Sequence, residues 1–467
     1  LEVQKLAEKD GDKSVSAAAL GDRNLLFIDE GHAGLSGKEA GVWYSYRSMM
    51  CAKGFAFEYS ATFKQAVEGT LLEDEYARAI LFDYSYRWFY EDGYGKDYQI
   101  FNLPESKDSA IQNNSQLDMY LTASMLKFFQ QLLIYGDKKQ DIKPFNIEKP
   151  LWVWVGHSVA GKSKEDSVAL SDIARILKFI AEFLKHPDIF QQRIVDLLTK
   201  NGAETGLMDD KGYDLFHEAF YHLKQFKNKN NDMTGAIIYD KILRDLFQTS
   251  GRGGHLVLER VKGDTGEILL KVSNSTVYFG EINVSGASEL CTSLAKNGEL
   301  TELLEVRAEG NTALPMFDSI KNSDSTINLL IGAKKFAEGW DCWRVSVLGL
   351  LNVGKTEGTQ IIQLFGRGVR LKGYQWSLKR SNHISNISSR PDGLTELELL
   401  CVFGVSADAM VSFKNYLKAE ELPGNEQRNV ITVPMSVCQL DNKKLKVLCP
   451  KQRKDNGREY NFKTDGP

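Results

Sequence analysis

A single format recurs along this chain and limits what it can fold into: a short, uninterrupted apolar run that closes in a loop of small or charged residues. Leu25-Leu-Phe-Ile28 runs into Asp29-Glu30-Gly31-His32, and Phe55-Ala-Phe-Glu-Tyr59 into Ser60-Ala61-Thr62. Leu151-Trp-Val-Trp-Val155 opens onto Gly156-His-Ser-Val-Ala-Gly161-Lys162-Ser163, and Ile327-Asn-Leu-Leu-Ile331 onto Gly332. Val345 to Leu351 leads through a Gly/Lys/Thr loop into a helix that ends Gln363-Leu-Phe-Gly-Arg-Gly-Val-Arg370. Runs apolar at successive positions are strands covered on both faces, which implies a parallel sheet between helical layers with chemistry at the carboxyl ends of the strands. Helical patterns over 114–136, 168–184, 189–199, 213–226 and 237–247 supply such layers, the first amphipathic. His255 to Val261 and Glu267 to Val272 read as a hairpin, with a further strand at Val277 to Val284. Strands are also expected at 397–405 and 430–437, a helix at 411–422, and a charged, structureless stretch at 451–467.

Composition removes several classes. The chain has 467 residues, 42% of them hydrophobic and 26% charged, enough for two or more domains with real cores. A net charge of -4 means that any contact with nucleic acid must rest on local patches. Its six cysteines are scattered without a C-x-x-C pair, as expected of buried thiols in a reducing compartment. No apolar run approaches the roughly 20 residues of a membrane-spanning helix, so no membrane partner and a cytoplasmic location are expected. Because the chain starts at Leu1, it reads as a piece of something longer.

Four places carry residue types suited to chemistry. Asp29 and Glu30 at a strand tip can hold a hydrated magnesium ion and polarise a water, or simply form an acidic turn. Ser60 and Thr62 sit at the next strand tip, where hydroxyls can relay a change at the acids. Gly156 to Ser163 matches the phosphate-loop pattern G-x-x-x-x-G-K-[ST]. The stretch Lys164 to Ser167 is read as separating it from its helix, with Asp166 and Ser167 as N-caps. The fourth place is Glu338 to Arg370. Arg367 and Arg370 share a helix face and suit a polyphosphate, because a guanidinium fork holds two oxygens at once. Gly366 and Gly368 are costly inside a helix, which points to a close approach of backbone to something else. From Gly366 to Pro391 there is no acid among Arg367, Arg370, Lys372, Lys379, Arg380 and Arg390, with Tyr374 and Trp376 interleaved. That patch suits a nucleic-acid backbone or a solvated loop equally.

Asp29-Glu-Gly-His32, Ser60-Ala-Thr62, Gly339-Trp-Asp341 and Gln363 to Arg370 occur in an order that resembles motifs II, III, V and VI of superfamily 2 helicases. The variant is similar to the motor (Res) subunit of type III restriction enzymes. The resemblance implies an α/β fold of two RecA-like parallel-sheet domains, with ATP and Mg2+ between them and DNA, double-stranded, across both. By it, Asp29 is the magnesium ligand, Glu30 the base, and His32 couples hydrolysis to movement with Ser60 and Thr62. Gly339, Asp341, Gln363 and Gly366 are nucleotide-binding, and Arg367 and Arg370 are arginine fingers. Lys372, Trp376, Lys379 and Arg380 are assigned to nucleic acid. A modification (methyltransferase) subunit is the implied partner. The expected division is 1–145 for an N-terminally incomplete first domain, 146–395 for the second with an α+β insertion at about 186–322, and 396–467 for a small extension. The family's upstream phosphate loop is not found before Asp29, and no Pro-Asp…Glu-x-Lys nuclease arrangement is seen. Two other readings stay open: a nucleotide-binding enzyme of another class using Gly156 to Ser163, and an inactive nucleic-acid-binding scaffold.

Overall fold

Nine strands line up in one sheet, seven of them at runs the sequence marked, with Asp97–Asn102 and Leu304–Arg307 added. The computed structural model describes residues 6, 15–34, 40–60, 63, 67, 69–70, 72–103, 114–156, 164–209, 211–226, 234–263, 266–307, 315–332, 340–351, 358–387, 389–405, 408–420, 422, 453–455 and 458–460. Within residues 1–425, β1 (Leu25–Ile28) pairs in parallel with β2 (Phe55–Glu58) as a separate two-stranded sheet. The large sheet takes β3 (Asp97–Asn102), β4 (Leu151–Val155), β5 (Leu256–Arg260), β6 (Glu267–Val272) and β7 (Tyr278–Asn283). It also takes β8 (Leu304–Arg307), β9 (Leu329–Gly332), β10 (Val345–Leu351) and β11 (Leu399–Val405), in the order β3-β11-β10-β4-β9-β7-β6-β5-β8. Only β6 runs against its neighbours; every other pairing is parallel.

The alternation of side chains on β4 shows why a continuous apolar run was needed. Trp152 and Trp154 point into one core, shared with the helices Asn114–Asp137, Lys164–Lys185, Pro187–Thr199, Gly235–Asp245 and Ala287–Lys296. Leu151, Val153 and Val155 point into the other, shared with the helices Gly358–Gly368 and Asp408–Ala419. Both faces of the strand are therefore dry, as in a sheet sandwiched between helical layers. At Gly349, opposite Trp154 in the register, a Cβ atom would stand 1.9 Å from the indole ring.

The sheet crosses both expected domain boundaries. β3 precedes residue 145 and β11 follows residue 395, yet they are neighbours in it. The strands expected to form a small sheet of their own within the insertion instead extend the large one, because β7 pairs with β9. Other expectations are also corrected. Residues 213–226 form turns and one short 3-10 helix, Leu223–Gln225, with Glu218 at a left-handed φ of 54° that an α-helix cannot contain. The helix Asn114–Asp137 buries Thr122, Ser124, Lys127, Gln130 and Gln131 along with its apolar residues, so it is enclosed all round and not amphipathic. The helix after β4 starts at Lys164, not at 168, so Lys164 to Ser167 are part of it. Leu25, Phe27 and Phe55 are exposed, whereas β1 was expected to be buried.

Residues 426–467 form a second unit, in which β12 (Arg453–Asp455) and β13 (Arg458–Tyr460) pair antiparallel where no structure was expected. The strand expected at 430–437 lies outside the described residues. Among the described residues no helix is long and apolar enough to cross a membrane. Cys291, Cys342 and Cys401 are buried free thiols, and Cys51 is a half-buried one.

Gly349→Ala should destabilise the large sheet by about 1–3 kcal/mol, the usual penalty for forcing an atom into a filled core. The urea midpoint of the main unfolding transition reads this, and an unchanged midpoint would refute the packing described.

Candidate functional site

The acids lie at the tip of β1. Tyr59 N–H donates to the Ile28 carbonyl and Gly31 N–H to the Tyr59 carbonyl, extending the β1–β2 pairing past its last residues. Between them Glu30 holds a left-handed φ of 51°, a strained state for a side chain with a Cβ, and its N–H donates to Asp29 Oδ1 at 3.0 Å. This turn brings Glu30 Oε2 to 3.2 Å from His32 Nδ1, and Ser60 Oγ lies 2.8 Å from the same nitrogen. Sequence analysis expected His32 and Ser60 to act together, and the fold brings them into contact from two strand tips. Thr62 lies outside the described residues. Gly31 is closely packed here: a Cβ would meet Glu58 and Phe63 at 3.1 Å.

Sequence reasoning missed what supports this tip. Arg47 pairs with Glu58 on β2, donates to Tyr76 Oη at 2.8 Å and reaches Glu75 at 3.3 Å. Tyr76 Oη donates in turn to Glu58 Oε2 at 2.8 Å; burial, and then this hydrogen bond, push the phenol well above its ordinary pKa. A Glu inside the apolar run Phe55-Ala-Phe-Glu58 was the available signal, since a carboxylate there must find a cation.

The guanidiniums occupy the other sheet. On the helix Gly358–Gly368, Ile361, Ile362, Leu364 and Phe365 are buried, while Gln363, Gly366, Arg367 and the following Arg370 fall on the opposite side at spacings of three and four. Arg367 Nη1 donates to the Trp340 carbonyl at 2.7 Å, and Arg370 forms an ion pair with Asp341. The helix thus grips the Trp340–Asp341 segment that the sequence singled out, although Gly339 itself lies outside the described residues. The two helical glycines differ. A Cβ at Gly368 would stand 2.9 Å from Leu400, so this glycine serves packing against β11. One at Gly366 would meet nothing within 4 Å, which leaves open backbone beside Arg367.

Two buried cations hold the Trp343–Arg344 turn that follows the Trp340–Asp341 segment and leads into β10. Arg344, 1% exposed, donates to the carbonyls of Lys149, Pro150, Ile320 and Ile327. Lys96 donates to the carbonyls of Trp343 and Val345. Burial pulls the Lys96 pKa down to about 8, and burial with the neighbouring Arg344 charge brings Lys149 to about 8.

Of the residues assigned to nucleic acid, Arg380 is corrected. It is 3% exposed, stacks on Tyr90 and donates to the carbonyls of Tyr90, Tyr94 and Gly95, so it is a structural clamp that no strand can reach. Lys372 is paired with Glu148 and lies near the rings of Trp343 and Trp376. Lys379 sits 4.5 Å from the Tyr94 ring centroid, and Trp376 is 61% exposed. The aromatic residues of 84–98 mostly pack inward, with Tyr86 and Tyr98 meeting Phe365 edge-on.

No protein-family model matches the chain, and no curated protein is significantly similar to it in sequence. The site is therefore judged on its own geometry.

The buried lysine gives a pH test of the clamp. Lys96 has a lower pKa folded than unfolded, so between about pH 8 and 10 the unfolded chain binds more protons there and stability rises with pH. Burial raises the Cys342 and Cys401 thiols, which pulls the opposite way, so the effect must be read as a difference. Going from pH 8 to pH 10, the wild type should gain about 2 kcal/mol over Lys96→Met in urea unfolding. A pH-independent difference would show that Lys96 is not buried as described.

Proposed function

We propose that this chain is the motor portion of an ATP-driven DNA helicase or translocase of the type III restriction kind, with two RecA-like halves. The observation that carries the reading is the 2.8 Å contact of Ser60 Oγ with His32 Nδ1, with Glu30 on the same nitrogen. It joins two short motifs on separate strands at the point where hydrolysis and movement would have to be coupled. The guanidinium face of Gln363, Gly366, Arg367 and Arg370 is the second support, since paired acids and paired arginines are complementary halves of a phosphoryl-transfer site.

The residues present fit a magnesium nucleotide in these two halves. Asp29 and Glu30 are exposed carboxylates at a strand tip. Among the described residues no group of three or more His, Cys, Asp or Glu side chains gathers to hold a metal. A pair of exposed carboxylates suits magnesium, which takes one or two and completes its shell with water and phosphate. Asp29 would hold the ion, Glu30 would orient and deprotonate the attacking water, and Arg367 and Arg370 would leave the Trp340–Asp341 segment for the phosphates. The bound nucleotide would supply the phosphoryl group and the energy of its transfer. DNA and a modification subunit are the partners this reading carries.

DNA-stimulated phosphate release should fall about 10³-fold or more in Arg370→Ala, the usual effect of losing an arginine finger. Activity retained within tenfold of wild type would count against the assignment.

One observation favours a second reading, a nucleotide-binding enzyme of another class. β4 is an interior strand of the parallel sheet, Gly156 to Ser163 follows it, and the next helix begins at Lys164 without the separation expected from the sequence. That is the order strand, phosphate-loop pattern, helix. Lys162→Ala separates the two. Loss of fluorescent-nucleotide binding in the variant would establish the second reading, and unchanged binding would leave the motor.

A further inference from the structure

A cavity of about 400 Å³ opens beside the turn that follows the arginine helix, with Phe145, Tyr374, Ile387, Pro144 and Pro391 as apolar walls and Asp141 and Ser389 as polar ones. Two short turns make it. The first, Lys143–Phe145, ends at Asn146, whose φ of 51° aims its side-chain amide to donate to the Gly373 carbonyl at 3.0 Å. The second, Tyr374–Trp376, is strained: Gln375, Trp376 and Leu378 all hold left-handed φ values of 50°, 62° and 61°. Non-glycine residues adopt that state at a cost of about 1–3 kcal/mol each, and such strain gathers at binding sites. Its structural result is that Trp376 stands 61% exposed and Leu378 41% exposed instead of packing inward. The Phe145 and Tyr374 rings lie 5.4 Å apart at 52°, and the Lys372–Glu148 ion pair ties the two turns together again.

We propose that this cavity takes one unstacked nucleobase of a single-stranded nucleic acid, and that Trp376 stacks its neighbour. The proposal rests on the reading of the chain as a nucleic-acid motor and names the form of nucleic acid that this face engages. The volume is that of a small-molecule pocket and the walls are ring and proline faces, which receive any base by its π-surface. Asp141 and the Ser389 hydroxyl are lining acceptors for an exocyclic amine. Lys139, Lys143 and Arg390, exposed and close in sequence to the lining residues, supply charge for the phosphates between bases. An exposed tryptophan fixed next to a lysine at 5.0 Å is the arrangement by which single-strand-binding surfaces follow a chain without reading its sequence.

The test uses a thymidine oligonucleotide with one central 2-aminopurine, titrated with this chain at low salt. The expected result is binding with a change in 2-aminopurine emission, weakened about 5- to 100-fold by Tyr374→Ala and by Trp376→Ala, and retained by Tyr374→Phe. Trp376 is a surface residue, so its variant folds even if Tyr374→Ala does not. If the wild type binds the oligonucleotide and the alanine variants bind it equally well, the site is overturned while the motor reading stands. If the wild type binds duplex DNA but no oligonucleotide, the site is overturned while the motor reading stands; if it binds neither, the motor reading fails and the site with it. Displacement of the oligonucleotide by a proline-rich peptide at micromolar concentration would overturn the base assignment in favour of a peptide groove.

Discussion

The large sheet depends on one buried guanidinium. Arg344 reaches carbonyls from the segment before β4, from the turn before β9 and from Ile320, while its own backbone leads into β10. Three segments far apart in sequence therefore begin their strands from one point. An unpaired charge in such a place would be prohibitive, but carbonyl dipoles on several sides replace the water it has lost. Lys96 repeats the arrangement one residue to either side, on the carbonyls of Trp343 and Val345. Because both cations act on the backbone and not on side chains, the Trp343–Arg344 turn and the start of β10 are set by the core and not by the surface.

The arginine helix is positioned by the core as well. The helix buries Ile361, Leu364 and Phe365 against the sheet, which fixes its rotation and leaves Gln363, Gly366, Arg367 and Arg370 facing out. In the structure Arg367 and Arg370 rest on the Trp340 carbonyl and the Asp341 carboxylate. A carbonyl and a single carboxylate are weaker partners for a pair of guanidiniums than a polyanion.

The runs that alternate two apolar faces were legible because both helical layers demand them, and β4 and β10 fall where the pattern put them. The mixed α/β class with a mostly parallel sheet follows from the same signal. Strand order was not legible. Nothing in the residues of β3 or β11 says that chain ends some 300 residues apart will pair, since register and neighbour are decided by the helices that cover them. Buried Arg380 was misjudged for a related reason. A cation followed by aromatics reads as a binding patch, and only the fold shows that its carbonyl partners point inward. Gly366 and Gly368 looked alike in sequence, and it took Leu400 beside one and open space beside the other to separate packing from exposure.

The two sheets are not equally strong, and the candidate chemistry is divided between them. β1 and β2 form only a pair, with Leu25, Phe27 and Phe55 left in water, and two strands alone are marginal. The acids and His32 stand on this pair, while the arginines stand on nine strands between helical layers. Warming or mild denaturant should therefore dismantle the chain in two stages, the acid half losing its order while the arginine half is still folded. A single unfolding free energy does not describe such a molecule. Whatever chemistry the two halves share is governed by the weaker sheet, and would be lost while most of the protein's helical signal remained.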